Sequence, residues 1–224
     1  EHVERSQRDW NLFVTLRDIL SPLVISDELK SYQFSDSIVL STRDNEDGLK
    51  EIIRTANFIC HRLLYYNILT RGGITKGKLY DDSKTVFGPG LIRAYRIENE
   101  IAVYPRILMD RTIYRDVKAI SYQGSHFRRD FDARYHLDIL KLGPLMFGCM
   151  DGVDIGYGRP PNIGTTEEEW LNTIKEAIEY GLNKQKHNAS ILKKYVWMAI
   201  YFNSFIRKSK DLHIPAIKSS LLNE

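Results

Sequence analysis

Residues 31–41 have the sequence SYQFSDSIVLS and predict a tight β-hairpin. Tyr32–Phe34 and Ile38–Leu40 favour strands, and small polar residues between two such runs are typical of a turn. Asp36 lies at the tip of this hairpin. Carboxylate oxygens are preferred ligands of Mg²⁺ and Mn²⁺, which often complete their coordination with substrate phosphates. Asp36 is therefore either a simple turn residue or a candidate metal ligand.

The composition is that of an ordinary soluble protein with a substantial core. The chain has 224 residues, of which 43% are hydrophobic and 27% charged, enough for one large domain or one domain with an appendage. Its net charge of +3 gives no reason to expect nucleic-acid binding, although it suits a pocket for a polyanionic small molecule. No apolar run reaches membrane-spanning length and no signal-like segment is present, so we expect a cytoplasmic protein. The first residue is Glu1 rather than Met, which indicates that the sequence is cut at its start.

The two cysteines do not predict a disulfide or a zinc site. Cys60 and Cys149 are far apart in sequence, and each is surrounded by apolar residues. Such cysteines usually behave as small buried hydrophobic residues. The sequence also lacks the CxxC pairs and the clustered His and Cys residues that are typical of zinc ligands.

The periodicity predicts an alternation of helices and short strands. Strands and helices mix without a regular βαβ pattern, which favours an α+β fold with a largely antiparallel sheet. The predicted helices cover 1–25, 49–66, 91–99, 166–185 and 188–209. The predicted strands or hairpins cover 31–41, 70–80, 106–109 and 127–140. Turns or loops are expected at 44–48, 85–90 and 143–164. The last two helices predict a helical hairpin. Its apolar stripe predicts packing, and comprises Trp170, Ile174, Ala177, Ile178, Leu192, Tyr195, Val196, Ile200 and Phe205.

Three segments occur in an order that resembles the class III nucleotidyl cyclases. They are FSDS at 34–37, RGGITKG at 71–77 and VFGPGLIRAYRIE at 86–98. In that family a hairpin carries a metal-binding Asp, a strand has the pattern R-x-G-I-x-x-G, and a later segment has the pattern F-G-x-x-V-N-x-A-x-R-[LI]. The resemblance covers roughly residues 1–140. It implies a ferredoxin-like, mostly antiparallel cyclase domain at 1–150, with a C-terminal helical extension at 151–224 packed on it.

The resemblance implies a role for several side chains. Asp36 matches the second metal-binding Asp, which helps to hold two Mn²⁺ or Mg²⁺ ions, and Arg96 matches the arginine that stabilises transition-state charge. Tyr32 and Thr85 match the two positions that read the base, where adenylate and guanylate cyclases carry a Lys or Glu at the first. The nucleotide-binding residues implied by the resemblance are Tyr32, Phe34, Thr85 and Arg93. Arg128 and Arg129 precede the acidic turn at 130–132, and we consider them either as phosphate contacts or as part of a solvated face.

Two features depart from the family pattern. The first metal-binding Asp of the family lies on an opening strand that precedes the first helix, and no such strand is recognisable here. The Asn of the third motif is replaced by Ile92, which cannot form a side-chain hydrogen bond. Arg93 or Tyr95 is then the nearest residue that could supply a polar contact.

Among the class III cyclases, the chain is most similar to the pyrimidine cyclases of Pycsar anti-phage defence. Tyr32, the short hairpin and the additional C-terminal helices carry this similarity. It implies conversion of UTP, or else CTP, to a 3′,5′-cyclic monophosphate that activates a separate effector. It also implies a homodimer in which Asp36 comes from one subunit and Tyr32, Thr85 and Arg96 come from the other. The alternatives are a purine cyclase, or a degenerate domain that binds nucleotide or dimerises without turnover.

Overall fold

The computed structural model describes residues 29–65, 67–82, 84–120, 127–141, 166–209 and 211–222. These residues form an α+β fold with small, mostly antiparallel sheets, which confirms the predicted fold class at this level. The helix predicted at 1–25 and the loop predicted at 143–164 lie outside the described residues. Within the described ranges, no helix is both long enough and apolar enough to cross a membrane.

The predicted hairpin at 31–41 is present. Strand β1 (Lys30–Phe34) pairs antiparallel with β2 (Ser37–Ser41), and Phe34 is opposite Ser37. The turn therefore contains two residues, of which Ser35 has a positive φ of 55°. A positive φ at the first turn position is typical of short hairpin loops. This geometry leaves Asp36 at the exposed tip.

Helix α1 (Glu46–Tyr65) lies between the hairpin and the main core. Its start is stabilised by the side chain of Asn45, which accepts a hydrogen bond of 2.7 Å from the backbone N–H of Gly48. One side of the helix contributes Ile59 and Leu63 to a small cluster with Ile38, Leu40 and Ile68. The other contributes Ile53, Cys60 and Leu64 to the main core. The apolar face of the β1–β2 hairpin is thus covered by α1.

A four-stranded sheet forms the centre of the described fold. Its order is β3-β6-β8-β7, with β3 parallel to β6 and the remaining pairs antiparallel. The strands are β3 (Gly72–Ile74), β6 (Ile107–Met109), β7 (Phe127–Arg129) and β8 (Tyr135–Leu137). The hairpin predicted at 127–140 is confirmed, and Ala133, with φ 62°, completes its turn.

The segment between β3 and β6 differs from the predicted pattern. Strand β3 is shorter than the strand expected at 70–80, and the turn expected at 85–90 contains a strand and the start of a helix. The elements here are β4 (Tyr80–Asp81), β5 (Val86–Phe87), α2 (Pro89–Arg96) and a π-helical turn (Ile97–Ile101). Helix α2 begins at Pro89 because proline has a backbone φ suited to the first helical turn.

The glycines of the RGGI segment allow a close approach of backbone elements. A Cβ atom on Gly73 would lie 2.6 Å from Cγ2 of Ile97 and 3.1 Å from the carbonyl oxygen of Ala94. Glycines inside a strand are typical of a position where another backbone or a ligand comes close. In the structure, the close neighbour of Gly73 is the end of α2 and the π-helical turn.

A short helix after β6 was not predicted. Helix α3 (Tyr114–Ile120) follows a 3₁₀ turn (Arg111–Ile113), and the Asp110 side chain accepts a hydrogen bond from the backbone N–H of Thr112. Aspartate is a favourable N-cap because its carboxylate satisfies backbone N–H groups that have no helical partner. Ile113 and Val117 then reach the main core.

The predicted C-terminal helical hairpin is confirmed. It consists of α4 (Glu167–Lys184) and α5 (Ala189–Ile206), and α4 begins with a capping box formed by Thr166 and Glu169. The expected burial of Ile200 is wrong, because its side chain is 56% exposed. Helix α5 is apolar on most of its circumference, so periodicity alone does not locate its buried face.

The two C-terminal helices share one core with α1 and the central sheet. The fully buried members of this core include Leu137, Leu140, Leu171, Ile178, Leu182, Met198 and Phe202. Cys60 is also buried here, as the sequence predicted, whereas Cys149 lies outside the described residues. Burial raises the pKa of the Cys60 thiol to about 11, although a hydrogen bond from Thr70 works in the opposite direction.

Candidate functional site

Asp36 occupies an accessible position at the tip of the β1–β2 hairpin. Its side chain is exposed and makes no hydrogen bond or ion pair with any other described residue. All of its carboxylate lone pairs are therefore available to a cation in this part of the structure. Within the described ranges, no group of three or more His, Cys, Asp or Glu side chains is arranged to hold a metal. Asp36 fits a cation that takes most of its remaining ligands from phosphates and water.

The opposite end of the same hairpin has a polar face. Lys30 and Tyr32 are two residues apart on β1, and Ser41 is opposite Lys30 on β2, so the three side chains point to the same side. Lys30 Nζ donates to Asp81 Oδ1 at 2.9 Å, and Ser41 Oγ donates to Asp81 Oδ2 at 2.6 Å. The Tyr32 hydroxyl also donates to Asp81 Oδ1. We call these four residues the Asp81 junction.

The Asp81 junction joins the two hairpins. The side chain of Asp81 is only 13% exposed, and Lys30 also donates to its backbone carbonyl at 3.1 Å. The hydrogen bond to Asp81 raises the pKa of Lys30 above its ordinary value. Asp81 is paired with Val86 across the β4–β5 hairpin. The hairpin that carries Asp36 is thereby fixed to the segment that leads into α2.

Tyr32 and Thr85, the two predicted base-reading residues, lie near each other in the fold. Tyr32 contacts Asp81, and Thr85 directly precedes Val86, the strand partner of Asp81. Thr85 is exposed, and its backbone N–H donates to Asp82 Oδ1 at 2.7 Å. This bond and a second from the Lys84 N–H lower the pKa of Asp82. The backbone N–H groups of Lys84 and Thr85 are therefore held against the carboxylate of Asp82.

Phe34 lies on the same face of the hairpin as Tyr32. The two residues are separated by one position on β1, and side chains at such positions point to the same side of a strand. Phe34 is 53% exposed. An exposed aromatic ring beside Tyr32 is a suitable surface on which a planar base can stack.

Helix α2 carries the remaining predicted residues. Arg96 is exposed and forms no hydrogen bond or ion pair with another described residue. Arg93 Nη1 donates to the carbonyl oxygen of Lys76 at 3.3 Å and lies 3.9 Å from Asp110 Oδ2. Ile92, at the position of the family Asn, is 54% exposed. Arg96 is therefore available to a ligand or a second subunit, while Arg93 is partly engaged within the chain.

Asp110 is a polar residue near Arg93 that the sequence analysis did not identify. It follows β6, and Thr75 follows the parallel strand β3, so the two residues lie at the same edge of the sheet. Thr75 Oγ1 donates to Asp110 Oδ2 at 2.5 Å, and Thr112 Oγ1 donates to the same oxygen at 3.0 Å. Burial works to raise the pKa of Asp110, but these hydrogen bonds outweigh it and lower the pKa. Only the pairing of β3 with β6 reveals this cluster.

Arg128 and Arg129, the candidate phosphate contacts, have different environments. Arg128 is half-buried, donates to Ser204 Oγ on α5, and lies over the ring of Tyr201 at 5.3 Å from the centroid. Arg129 is exposed. Of the two, Arg129 is the one whose side chain extends into solvent.

Asp130 and Asp132, which were predicted to be turn residues, have a further role. Both bind the guanidinium of Arg106, whose side chain is only 2% exposed. Buried arginines require such partners because an unpaired charge is strongly disfavoured away from water. These aspartates therefore stabilise the fold as well as form the turn.

The comparisons with known proteins give no assignment. No protein-family model matches the chain, and no curated protein or solved structure gives a significant match. The interpretation of the site therefore depends on its own residues, namely the exposed Asp36, the Asp81 junction and the exposed Arg96.

Proposed function

We propose that this protein is a nucleotidyl cyclase with a class III cyclase-like fold. It converts a pyrimidine ribonucleoside triphosphate, UTP in preference to CTP, into the 3′,5′-cyclic monophosphate and pyrophosphate. The observation that carries the proposal is the order of the three motifs, together with the exposure of both Asp36 and Arg96. By resemblance to the Pycsar cyclases, the product is a second messenger that activates a separate effector in anti-phage defence.

The reaction is an intramolecular displacement at the α-phosphorus. The ribose 3′ oxygen loses its proton to solvent and forms a bond to the α-phosphorus, while the bond from that phosphorus to the bridging α,β oxygen breaks. Pyrophosphate leaves with the electron pair. Mn²⁺ or Mg²⁺ supplies nucleophile activation and neutralises charge on the phosphates when bound. The nucleoside triphosphate is the only reactant that this step consumes.

Asp36 and Arg96 have complementary roles in this reaction. Asp36 would hold divalent cations through its carboxylate, and the cyclase resemblance implies two of them. Arg96 places a guanidinium against the charge that develops on the phosphate in the transition state. Removing one such stabilising group typically lowers the rate by about 10²- to 10³-fold. Neither side chain is engaged by another described residue, which supports these roles.

The base site is formed by Tyr32, Phe34 and Thr85. Phe34 offers an aromatic surface for stacking, and Tyr32 and Thr85 offer polar atoms near the edge of the base. A site that hydrogen-bonds a base edge discriminates well, because a mismatched base leaves polar groups unpaired. The bulk of the Tyr32 ring suits a small pyrimidine better than a purine.

The proposed active site is composite and requires a homodimer. Apolar side chains on and next to α2 support an interaction surface there, since Phe87, Ile92 and Tyr95 are 56%, 54% and 61% exposed. Asp36 of one subunit then faces Arg96 of the other. A cytoplasmic location belongs to the same proposal, because nucleoside triphosphates are abundant there.

The test is incubation of the purified chain with each of the four ribonucleoside triphosphates and Mn²⁺, with the products identified by mass. Asp36→Ala is compared with Asp47→Ala, a matched variant at a side chain that is 88% exposed. A cyclic pyrimidine monophosphate that is lost in Asp36→Ala and kept in Asp47→Ala is the expected result. A purine product would retain the cyclase assignment and reject the interpretation of Tyr32.

A binding-only domain is the second candidate. The exposed Ile92 in place of the family Asn favours it, as does the finding that Asp36 has no clustered carboxylate among the described residues. Failure to form any product, combined with nucleotide binding in calorimetry, would select this candidate over the cyclase.

A further inference from the structure

The Asp81 junction places a donor and an acceptor next to each other. Lys30 Nζ and Tyr32 Oη both contact Asp81 Oδ1, so the two atoms lie within about 6 Å, twice the length of a hydrogen bond. Both side chains come from the same face of β1. The side chain of Lys30 is 42% exposed and Tyr32 is partly exposed, so both are accessible from solvent.

Asp81 determines the direction of these hydrogen bonds. An ionised carboxylate only accepts hydrogen bonds, and a tyrosine hydroxyl has a single proton. Tyr32 therefore donates its proton to Asp81, and any other group that binds Tyr32 Oη must itself donate. Lys30 is an obligate donor with three protons, two of which are directed at the carboxylate and the backbone carbonyl of Asp81.

We infer that Asp81 is a positioning residue for base selection, which rests on the proposed cyclase function. By accepting the Tyr32 proton, it makes Tyr32 Oη an acceptor and leaves Lys30 as the neighbouring donor. The site then favours a base that places an N–H group at Tyr32 and an acceptor at Lys30. Uracil meets this order with its N3–H at Tyr32 and its 4-carbonyl oxygen at Lys30, whereas cytosine in the same orientation presents N3, an acceptor, to Tyr32 and its 4-amino group, a donor, to Lys30. Guanine shares the order of uracil and is disfavoured by its size. Without Asp81, Tyr32 both donates and accepts, and the selection is lost.

The test compares variants that keep or remove the acceptor. Asp81→Ala removes it. Asp81→Asn keeps an oxygen for Lys30 and Tyr32 and directs the amide N–H₂ group towards Ser41, whose hydroxyl can accept. Ser41→Ala is the matched control, because it loosens the same junction without changing the contacts of Tyr32 or Lys30. Tyr32→Phe removes the hydroxyl on which Asp81 acts.

The measurement is the dissociation constant of each 3′-deoxyribonucleoside triphosphate with Mn²⁺, determined by calorimetry. These ligands lack the attacking hydroxyl, so binding is observed without turnover. We expect the ratio between the preferred and the next base to fall about tenfold in Asp81→Ala and Tyr32→Phe, as is typical for loss of one buried hydrogen bond. The ratio is expected to be unchanged in Asp81→Asn and Ser41→Ala.

The possible outcomes separate this inference from the proposed function. A wild-type protein that selects one base, and an Asp81→Ala variant that selects it equally well, would overturn the role of Asp81 and leave the cyclase proposal intact. If Asp81→Ala does not fold, undiminished selection in Tyr32→Phe would overturn the inference instead. A wild-type protein that binds none of the four ligands would overturn the proposed function and, with it, the inference.

Discussion

The indole Nε1 of Trp197 donates a hydrogen bond of 3.1 Å to Oδ2 of Asp130. The same oxygen accepts a hydrogen bond from Arg106, so helix α5, the β7–β8 turn and the segment before β6 meet at one carboxylate. Arg106 also binds Asp132, whose other partner is Arg134. This network connects the C-terminal helices to the central sheet through charged groups as well as apolar contacts.

Replacement of Arg106 by methionine should destabilise the protein strongly. Arg106→Met leaves the carboxylates of Asp130 and Asp132 without their buried cation, and breaking a buried ion pair typically costs about 3–5 kcal/mol. Urea denaturation measures the change in the free energy of unfolding. Arg134→Met is the control, because this side chain is 50% exposed and such pairs contribute about 1 kcal/mol or less. Equal decreases in the free energy of unfolding of the two variants would contradict the conclusion that burial makes the Arg106 ion pairs important.

Stability should decrease in acid as Asp132 is protonated. Burial works to raise the pKa of Asp132, but hydrogen bonds from Arg106 and Arg134 outweigh it and lower the pKa from 3.8 to about 2. Between these values the unfolded chain binds more protons than the folded one, so the free energy of unfolding falls as the pH falls through this window. Denaturation at several pH values tests this. In Asp132→Asn the dependence should become shallower between pH 4 and pH 2.

His61 should make stability depend on pH in a separate, higher window. Burial lowers its pKa from 6.5 to about 4, although a hydrogen bond to the carbonyl oxygen of Ile139 opposes this change. Between these values the unfolded state takes up a proton that the folded state excludes, so the free energy of unfolding falls with falling pH. Urea titrations of His61→Gln should show a shallower slope here. His187→Gln, at an exposed histidine, should retain the slope of the parent protein.

An alanine at position 181 should disrupt the contact between the two C-terminal helices. A Cβ atom on Gly181 would lie 2.0 Å from Cε1 of Tyr195, and the ring of Tyr195 is buried. Overpacking of this kind typically costs about 1–3 kcal/mol, more than the helix propensity gained from alanine. The melting temperature should therefore fall in Gly181→Ala. When Tyr195 is already replaced by leucine, adding Gly181→Ala should lower the melting temperature much less than it does in the parent protein. If the decrease in the double variant equals the sum of the decreases in the two single variants, the steric explanation is rejected.

A mixture of two inactive variants should regain activity if the sites are composite. Asp36→Ala and Arg96→Ala remove groups that the proposal assigns to different subunits of one site. Random exchange gives heterodimers in half of the molecules, each with one intact site, so about a quarter of the parent activity is expected. Cyclic nucleotide formation before and after mixing measures this recovery. No recovery, despite subunit exchange seen by native mass spectrometry with one variant isotope-labelled, would show that each site belongs to one chain.

The sequence predicted the elements whose signals are local. Helix α1, the hairpin around Asp36 and the C-terminal helices have strong periodicity or clear turn and capping residues, and the structure contains them. Helix α3 was missed because its pattern spans only two turns, although the N-cap at Asp110 was a usable signal. The exposure of Ile200 could not be predicted, because α5 is apolar on most sides.

The residues that connect distant segments could not be predicted from local patterns. Asp81 contacts Lys30, Tyr32 and Ser41, which lie 51, 49 and 40 positions away. Arg106 is buried although arginine is usually a surface residue, and its partners are 24 and 26 positions away. Such pairs depend on which strands become neighbours, and local periodicity and turn signals do not reveal this.

The position of the core residues in the chain has a consequence for biosynthesis. Phe202 and Ile217 are almost fully buried against residues contributed by α1 and β8. A ribosome must therefore release the chain as far as Ile217 before this core can close. Until then the nascent chain exposes the apolar sides of α1 and the central sheet, which are surfaces that chaperones recognise. We expect this core to form only once α1, β8 and the segment around Ile217 have all left the ribosome, rather than progressively as each element emerges.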